Sequence, residues 1–253
     1  MNFDSLSQDD LGSSNELQER LQKARRLYNA ERFDALAGVL DRLVDDFPGD
    51  YEAYVLRAKT LWRLERRREA LADFERAIRL APGEASIYYE RVQCRRRRDK
   101  FDRDENPEEL IPDLEKAYQL DPEQPLYLDE LLTTYFLAGK FEEVIVYATK
   151  IIERNGKATE DNANEFCFRG VAHEMLNHLE EAIDDLTVAL RMRPDDASYW
   201  AARGRCRITI GYQDEGESDL RRAEELGWTE EEFSEEEDDD PWGLWKDRED
   251  WRE

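Results

Sequence analysis

Side chains able to carry chemistry are scarce in this 253-residue chain. It has two histidines, His173 and His178. Five residues apart across a helix end, they are a poor metal pair and read as structural or solvated. Cys94, Cys167 and Cys206 make an odd set at wide spacing, with no metal-binding pattern and no disulfide framework. Reduced thiols are therefore expected. The 62 Asp and Glu residues put carboxylate pairs everywhere, so one more pair says nothing about general acid–base work. No Gly-rich phosphate loop, nucleophile elbow or His-Glu-x-x-His run occurs. The sequence predicts no catalytic residue, no metal and no cofactor.

Charge is the next signal. With 37 basic residues against 62 acidic, the net charge is −25, which on average repels nucleic-acid phosphates and anionic membranes. No apolar run approaches the roughly 20 residues that span a bilayer. Met1–Asn15 lacks the basic-then-apolar order of a secretory leader, so a cytoplasmic protein is expected. Two stretches depart from the average. Residues 57–103 hold 15 Lys or Arg against 8 Asp or Glu, a local +7, densest at Arg95-Arg96-Arg97-Arg98. Residues 224–253 hold 15 acidic and 3 basic residues, a local −12, together with Trp242, Trp245 and Trp251. An acidic run is usually a solvated tail, but exposed tryptophans call for something to touch. Both outcomes stay open for this tail, docking on its own chain included.

These residues sit on a period. Pro48, Pro82, Pro122, Gly156, Pro194 and Trp228 are separated by 34, 40, 34, 38 and 34 residues. Aligned on it, one column reads Arg20, Tyr54, Tyr88, Leu128, Phe166, Trp200, and four places on comes a mostly small one, Ala24, Ala58, Val92, Leu132, Gly170, Gly204. Later columns read Leu36, Ala70, Leu110, Val144, Ala182, Gly216, then Leu40, Phe74, Leu114, Ala148, Leu186, Leu220, then Leu43, Ala77, Ala117, Ile151, Ala189, Ala223. Spacings of four and three put these last three columns on one face of a second helix. Gly139, Asn177 and Gly211 mark the turns between helices.

The pattern resembles the tetratricopeptide repeat family, with units at 17–50, 51–84, 85–124, 125–158, 163–196 and 197–230. The resemblance implies an all-α, right-handed superhelical solenoid of antiparallel helix hairpins over residues 15–230. A flexible segment, 1–14, would precede it. The acidic Trp-containing tail, 231–253, would follow, with a capping helix begun by Thr229-Glu230-Glu231-Glu232. Repeat three carries six extra residues between its helices, over Asp99–Pro107. Asn106-Pro107 is a good helix start, yet Pro112 would break a helix running through it. That helix is therefore either kinked or begins near Ile111. Arg57, Arg91, Arg169 and Arg203 share a column, with Lys23 beside them. They read either as an anion ladder or, preferably, as stems packed between helices whose guanidinium groups reach water or a neighbouring acid.

What the resemblance implies about function is a concave groove made by the first helix of each repeat. Matched position by position, repeat one contributes Leu21, Arg25 and Tyr28, and repeat two Val55, Lys59, Trp62 and Arg63. Repeat three contributes Tyr89, Gln93, Arg96 and Arg97, and repeat four Asp129, Thr133 and Phe136. Cys167, Val171, Glu174 and Met175 follow from repeat five, then Ala201, Arg205 and Ile208 from repeat six. The first half looks basic and aromatic, suited to an acidic or aromatic protein segment. The places where co-chaperone relatives clamp a C-terminal carboxylate hold Leu21, Arg25, Leu56, Ser86 and Glu90, or one repeat on Val55, Lys59, Glu90, Leu126 and Glu130. Neither set makes a clamp. The expected function is a non-enzymatic adaptor or scaffold for a protein or peptide. The rival is nucleic-acid binding by the 57–103 stretch, which the net charge opposes, and a catalytic or metal-binding role comes third.

Overall fold

The computed structural model describes residues 8–96, 106–156 and 162–229. Among them lie twelve α-helices and no strand: α1 (Gln8–Asn29), α2 (Phe33–Asp46), α3 (Tyr51–Arg63), α4 (Arg67–Leu80), α5 (Ala85–Arg96), α6 (Ile111–Leu120), α7 (Pro125–Leu137), α8 (Phe141–Asn155), α9 (Ala163–Met175), α10 (Leu179–Met192), α11 (Ala197–Thr209) and α12 (Gln213–Glu225). They divide into two compact units, Met1–Tyr127 and Leu128–Glu253. Within each, helices adjacent in sequence pack together, as α3 does with α4 in the first unit and α9 with α10 in the second.

Second helices form where apolar residues recur at four and three. Leu36, Leu40 and Leu43 are sealed on α2, Ala70, Phe74 and Ala77 on α4, and Ala182, Leu186 and Ala189 on α10. Their opposite faces carry the charge, so each helix has one apolar stripe to bury. Two first helices open on side-chain caps: at α3 the Asp50 carboxylate accepts from the Ala53 N–H at 2.8 Å, and at α11 Asp196 accepts from the Ser198 N–H at 3.1 Å. In repeat three a single 3-10 turn, Pro107–Glu109, precedes α6. That helix starts at Ile111, so Pro112 falls in its first turn, where no hydrogen bond is lost. The later start, not a kink, is the solution adopted.

One closing device recurs between the helices of a hairpin. The N–H of Arg32 reaches the Leu27 carbonyl, Arg66 reaches Leu61, Lys140 reaches Tyr135, His178 reaches His173 and Tyr212 reaches Arg207, at 2.8–3.1 Å. The residue before each donor has positive φ: Glu31, Glu65, Gly139, Asn177 and Gly211. This is the six-to-one bond of a Schellman end, which closes the first helix and turns the chain back.

The cores follow the stacking. In the first unit Leu21, Ala24, Leu36, Leu40, Leu43, Val44, Ala53 and Leu56 form one cluster, and Ala58, Leu61, Trp62, Ala70, Phe74, Ala77, Ile87 and Cys94 the next. Each cluster lies between one hairpin and the first helix after it, so burial is shared by neighbours along the chain.

Candidate functional site

In the first unit, first helices α1, α3 and α5 bring Tyr28, Lys59, Trp62, Arg63, Tyr89, Glu90, Gln93 and Cys94 around a cleft of about 260 Å³. Six of these were expected at the groove: Tyr28, Lys59, Trp62, Arg63, Tyr89 and Gln93. The repeat places them together because equivalent positions of successive first helices stack side by side.

The cleft is aromatic, and its charges are largely matched. Lys59 Nζ donates to Glu90 Oε1 at 2.7 Å and lies 5.5 Å from the centre of the Tyr28 ring. Tyr28 meets Phe33 edge to face at 5.4 Å, and the Arg63 guanidinium stacks 4.9 Å over Phe33. Arg63 also reaches Glu31 at 3.8 Å. Tyr89 packs on Tyr127 at 5.3 Å. Gln93 contributes a buried amide nitrogen with no hydrogen-bond partner among the described residues. Arg25 is exposed and donates to Glu52 at 2.7 Å. Arg96 is half-buried at the end of α5, and Arg97 lies outside the described residues. Trp62 is only 6% exposed. It offers the cleft an edge while its body belongs to the core against Ala70 and Phe74, so it does not stand free in a groove.

The second unit rearranges the expected stations more. Phe136 is 5% exposed, wedged 4.9 Å from Phe168 and 6.1 Å from Phe141. Cys167, Val171 and Ala201 are sealed as well, as is Leu21 in the first unit. Apolar groove positions on one hairpin are consumed by packing against the next, and spacing alone does not separate the two uses. Ile208 turns towards its own hairpin, where its Cγ1 crowds Gly216. Arg205 forks onto Glu174 at 3.1 and 3.3 Å. Of the expected set in this unit, Met175 stays open, at 48% exposure.

The arginine column is an internal lock. Arg57 grips Asp73 with Nε and Nη2 at 2.7 and 2.8 Å, Arg169 grips Asp185 at 2.7 and 2.7 Å, and Arg203 grips Asp219 at 2.8 and 2.9 Å. Arg91 holds Asp113 in the same fork. The partner stands 16 residues on, or 22 where repeat three carries its six extra residues. Arg169 and Arg203 also donate to Thr149 and Thr187 of the preceding hairpin. The bonds to Asp73 raise the pKa of Arg57 above its ordinary value, against the burial that would lower it. The matching aspartate column was present in the sequence and could have been found by asking what faces each arginine across the hairpin. Within residues 57–103 the Arg57–Asp73 lock is already counted in the net +7, while Asp113, from beyond the stretch, answers Arg91.

His173 and His178 also depart from their expected separation. Their Nδ1 atoms lie 3.5 Å apart, because they occupy the two positions that a Schellman end brings side by side. The tail expectations, including Trp242, Trp245, Trp251 and the capping helix from Glu230 onward, lie outside the described residues. No helix among the described residues is long and apolar enough to cross a membrane.

A tetratricopeptide repeat family model matches residues 55–125. Several solved structures share the architecture. YrrB, a TPR protein with an unusual peptide-binding site, is 18% identical with a TM-score of 0.59, covering 76% of this chain and 93% of its own. The C-terminal part of a TPR repeat-containing protein from Cytophaga hutchinsonii is 16% identical with a TM-score of 0.60, covering 81% and 78%. PilF of Pseudomonas aeruginosa is 14% identical with a TM-score of 0.52, covering 85% and 94%. No curated protein matches the sequence. The repeating hairpins with their Schellman turns have the tetratricopeptide repeat fold, and the family match covers α3 to the start of α7.

Proposed function

We propose that the chain is a non-catalytic scaffold that binds a protein segment along its first-helix face, with the Tyr28–Lys59–Tyr89 cleft as the main anchor. The cleft itself carries the proposal: three successive first helices converge on a concavity of about 260 Å³, large enough for one aromatic side chain with its flanking backbone. Tyr28 and Tyr89 supply faces for stacking. Arg25 and Arg63, exposed on the same helices, would meet acidic residues on either side of that anchor. An acidic side chain inside the cleft would have to displace Glu90 from Lys59, so the occupant is an aromatic residue within an acidic segment. YrrB, whose solved structure has a peptide-binding site, gives a precedent for this use of the fold.

Display selection of random peptides on the purified protein tests this directly. Selected sequences should centre on Phe, Tyr or Trp with neighbouring Asp or Glu. Tyr89→Ala should weaken binding of a selected peptide about tenfold or more, as loss of a central aromatic contact does, with the circular dichroism spectrum unchanged. Selection of basic peptides, or binding indifferent to Tyr89→Ala, would refute the assignment.

A further inference from the structure

We propose that His173 and His178 form a two-imidazole site for a divalent late first-row transition ion (nickel, copper or zinc) across the α9–α10 turn. The turn itself is the argument. Its six-to-one bond, from His178 N–H to the His173 carbonyl, is 2.8 Å long. Asn177 between them is held at φ +60°. Both side chains therefore hang from backbone that is already fixed, one at the end of α9 and one just before α10. Their Nδ1 atoms face each other at 3.5 Å. Two nitrogens bound tetrahedrally at the usual zinc distance lie about 3.4 Å apart. Closing on an ion thus needs only a small ring adjustment, and little conformational freedom remains to be lost.

The surroundings suit a cation. Glu181 and Asp185 approach His173 from α10, and Arg169 from α9 is already committed to Asp185 in a fork. His178 is exposed, which leaves an entry path. Among the described residues no three potential donors cluster, so water completes the coordination. Imidazole donors favour copper, nickel and zinc over the oxygen-seeking magnesium and calcium. The equivalent turn positions elsewhere hold Leu27 and Arg32, Leu61 and Arg66, Tyr135 and Lys140, and Arg207 and Tyr212, none a pair of nitrogen ligands. The effect of the ion would be to clamp α9 to α10.

Because the sequence has two histidines, their imidazole proton–nitrogen resonances can be followed without crowding in the full, tag-free chain. Titrating Zn²⁺ should shift both rings together and saturate at one equivalent, while Ni²⁺ should broaden both and Mg²⁺ neither. His178→Gln and His173→Gln should each weaken Zn²⁺ binding by at least about tenfold, since loss of even an outer partner costs that much. Binding should weaken as pH falls from 7.5 to 5.5, protons competing for the same nitrogens. Rings that respond at different ion concentrations, a response equal for Mg²⁺, or undiminished binding in either variant would overturn the site. The wild-type ring shifts alone decide the matter if a variant does not fold.

Discussion

Arg169 and Asp185 show how a charged pair works inside this architecture. The carboxylate is about one-tenth exposed and its arginine about one-fifth, so each is costly to leave alone. Arg169→Met should lower unfolding stability by about 3 kcal/mol, since breaking such a pair strands a half-desolvated charge. The double variant Arg169→Met with Asp185→Leu should recover part of that loss, because nothing charged is then left unpaired. Urea unfolding of the four members of the cycle measures both terms; a double variant less stable than Arg169→Met would contradict this account. Cys206 makes a second point. It is fully buried, and that burial pushes its thiol up to about 12. At pH 8 it should not react with a thiol reagent until α11 and α12 open. Labelling of Cys206 as fast as a free thiol, read by mass spectrometry, would show that this helix pair is open far more often than its packing implies.

Elements are joined here by close approach and by turns. Gly204 on α11 and Gly216 on α12 let two backbones meet. A Cβ on Gly216 would stand 2.5 Å from Ile208 Cγ1 and 2.8 Å from the Gly204 carbonyl oxygen. The side chain can move, but the carbonyl cannot without displacing the helix. Gly216→Ala should therefore destabilise the protein by about 1–3 kcal/mol, as overpacking does. Amide exchange should accelerate in α11 and α12 before it does in α9; uniform acceleration across the second unit would argue against a local cause. The hairpin turns explain a different feature. Glu31 and Glu65 occupy the left-handed position that Gly139 and Gly211 fill elsewhere, a conformation that costs an ordinary residue roughly 1 kcal/mol. The chain tolerates it because the six-to-one bond of the Schellman end is kept.

Across the whole molecule, burial is distributed between neighbouring hairpins. Leu40 is sealed between α2, α1 and α3. Leu40→Ala should cost about 2–5 kcal/mol, and exchange protection should be lost in α1 to α3 ahead of α4. A single cooperative loss across the whole first unit would mean stronger coupling than nearest neighbours provide. Charge behaves in a similar way at this scale: the net −25 is a sum over a surface on which the arginines are answered locally by aspartates.

The sequence by itself determined the all-helical repeat and its buried faces, because each depends on spacing along one chain, whereas α1 begins at Gln8, inside the 1–14 segment expected to be flexible. Pro48, Pro82 and Pro194 punctuate the helices, and Leu36, Leu40 and Leu43 must share a face whatever surrounds them. The fates of Phe136, Trp62 and Cys167 were different, since a residue on a first helix can face a groove or a neighbouring hairpin at the same spacing. Only the stacked structure chooses between them. It also set the partners of Arg57, Arg91, Arg169 and Arg203, which lie 16 or 22 residues on, across the turn on the second helix of the same hairpin. His173 and His178 are the sharpest case. Five residues separate them along the chain, but a left-handed residue at Asn177 turns the chain back and sets one imidazole against the other. Backbone closure in three dimensions made that juxtaposition, which the spacing along a helix end had argued against.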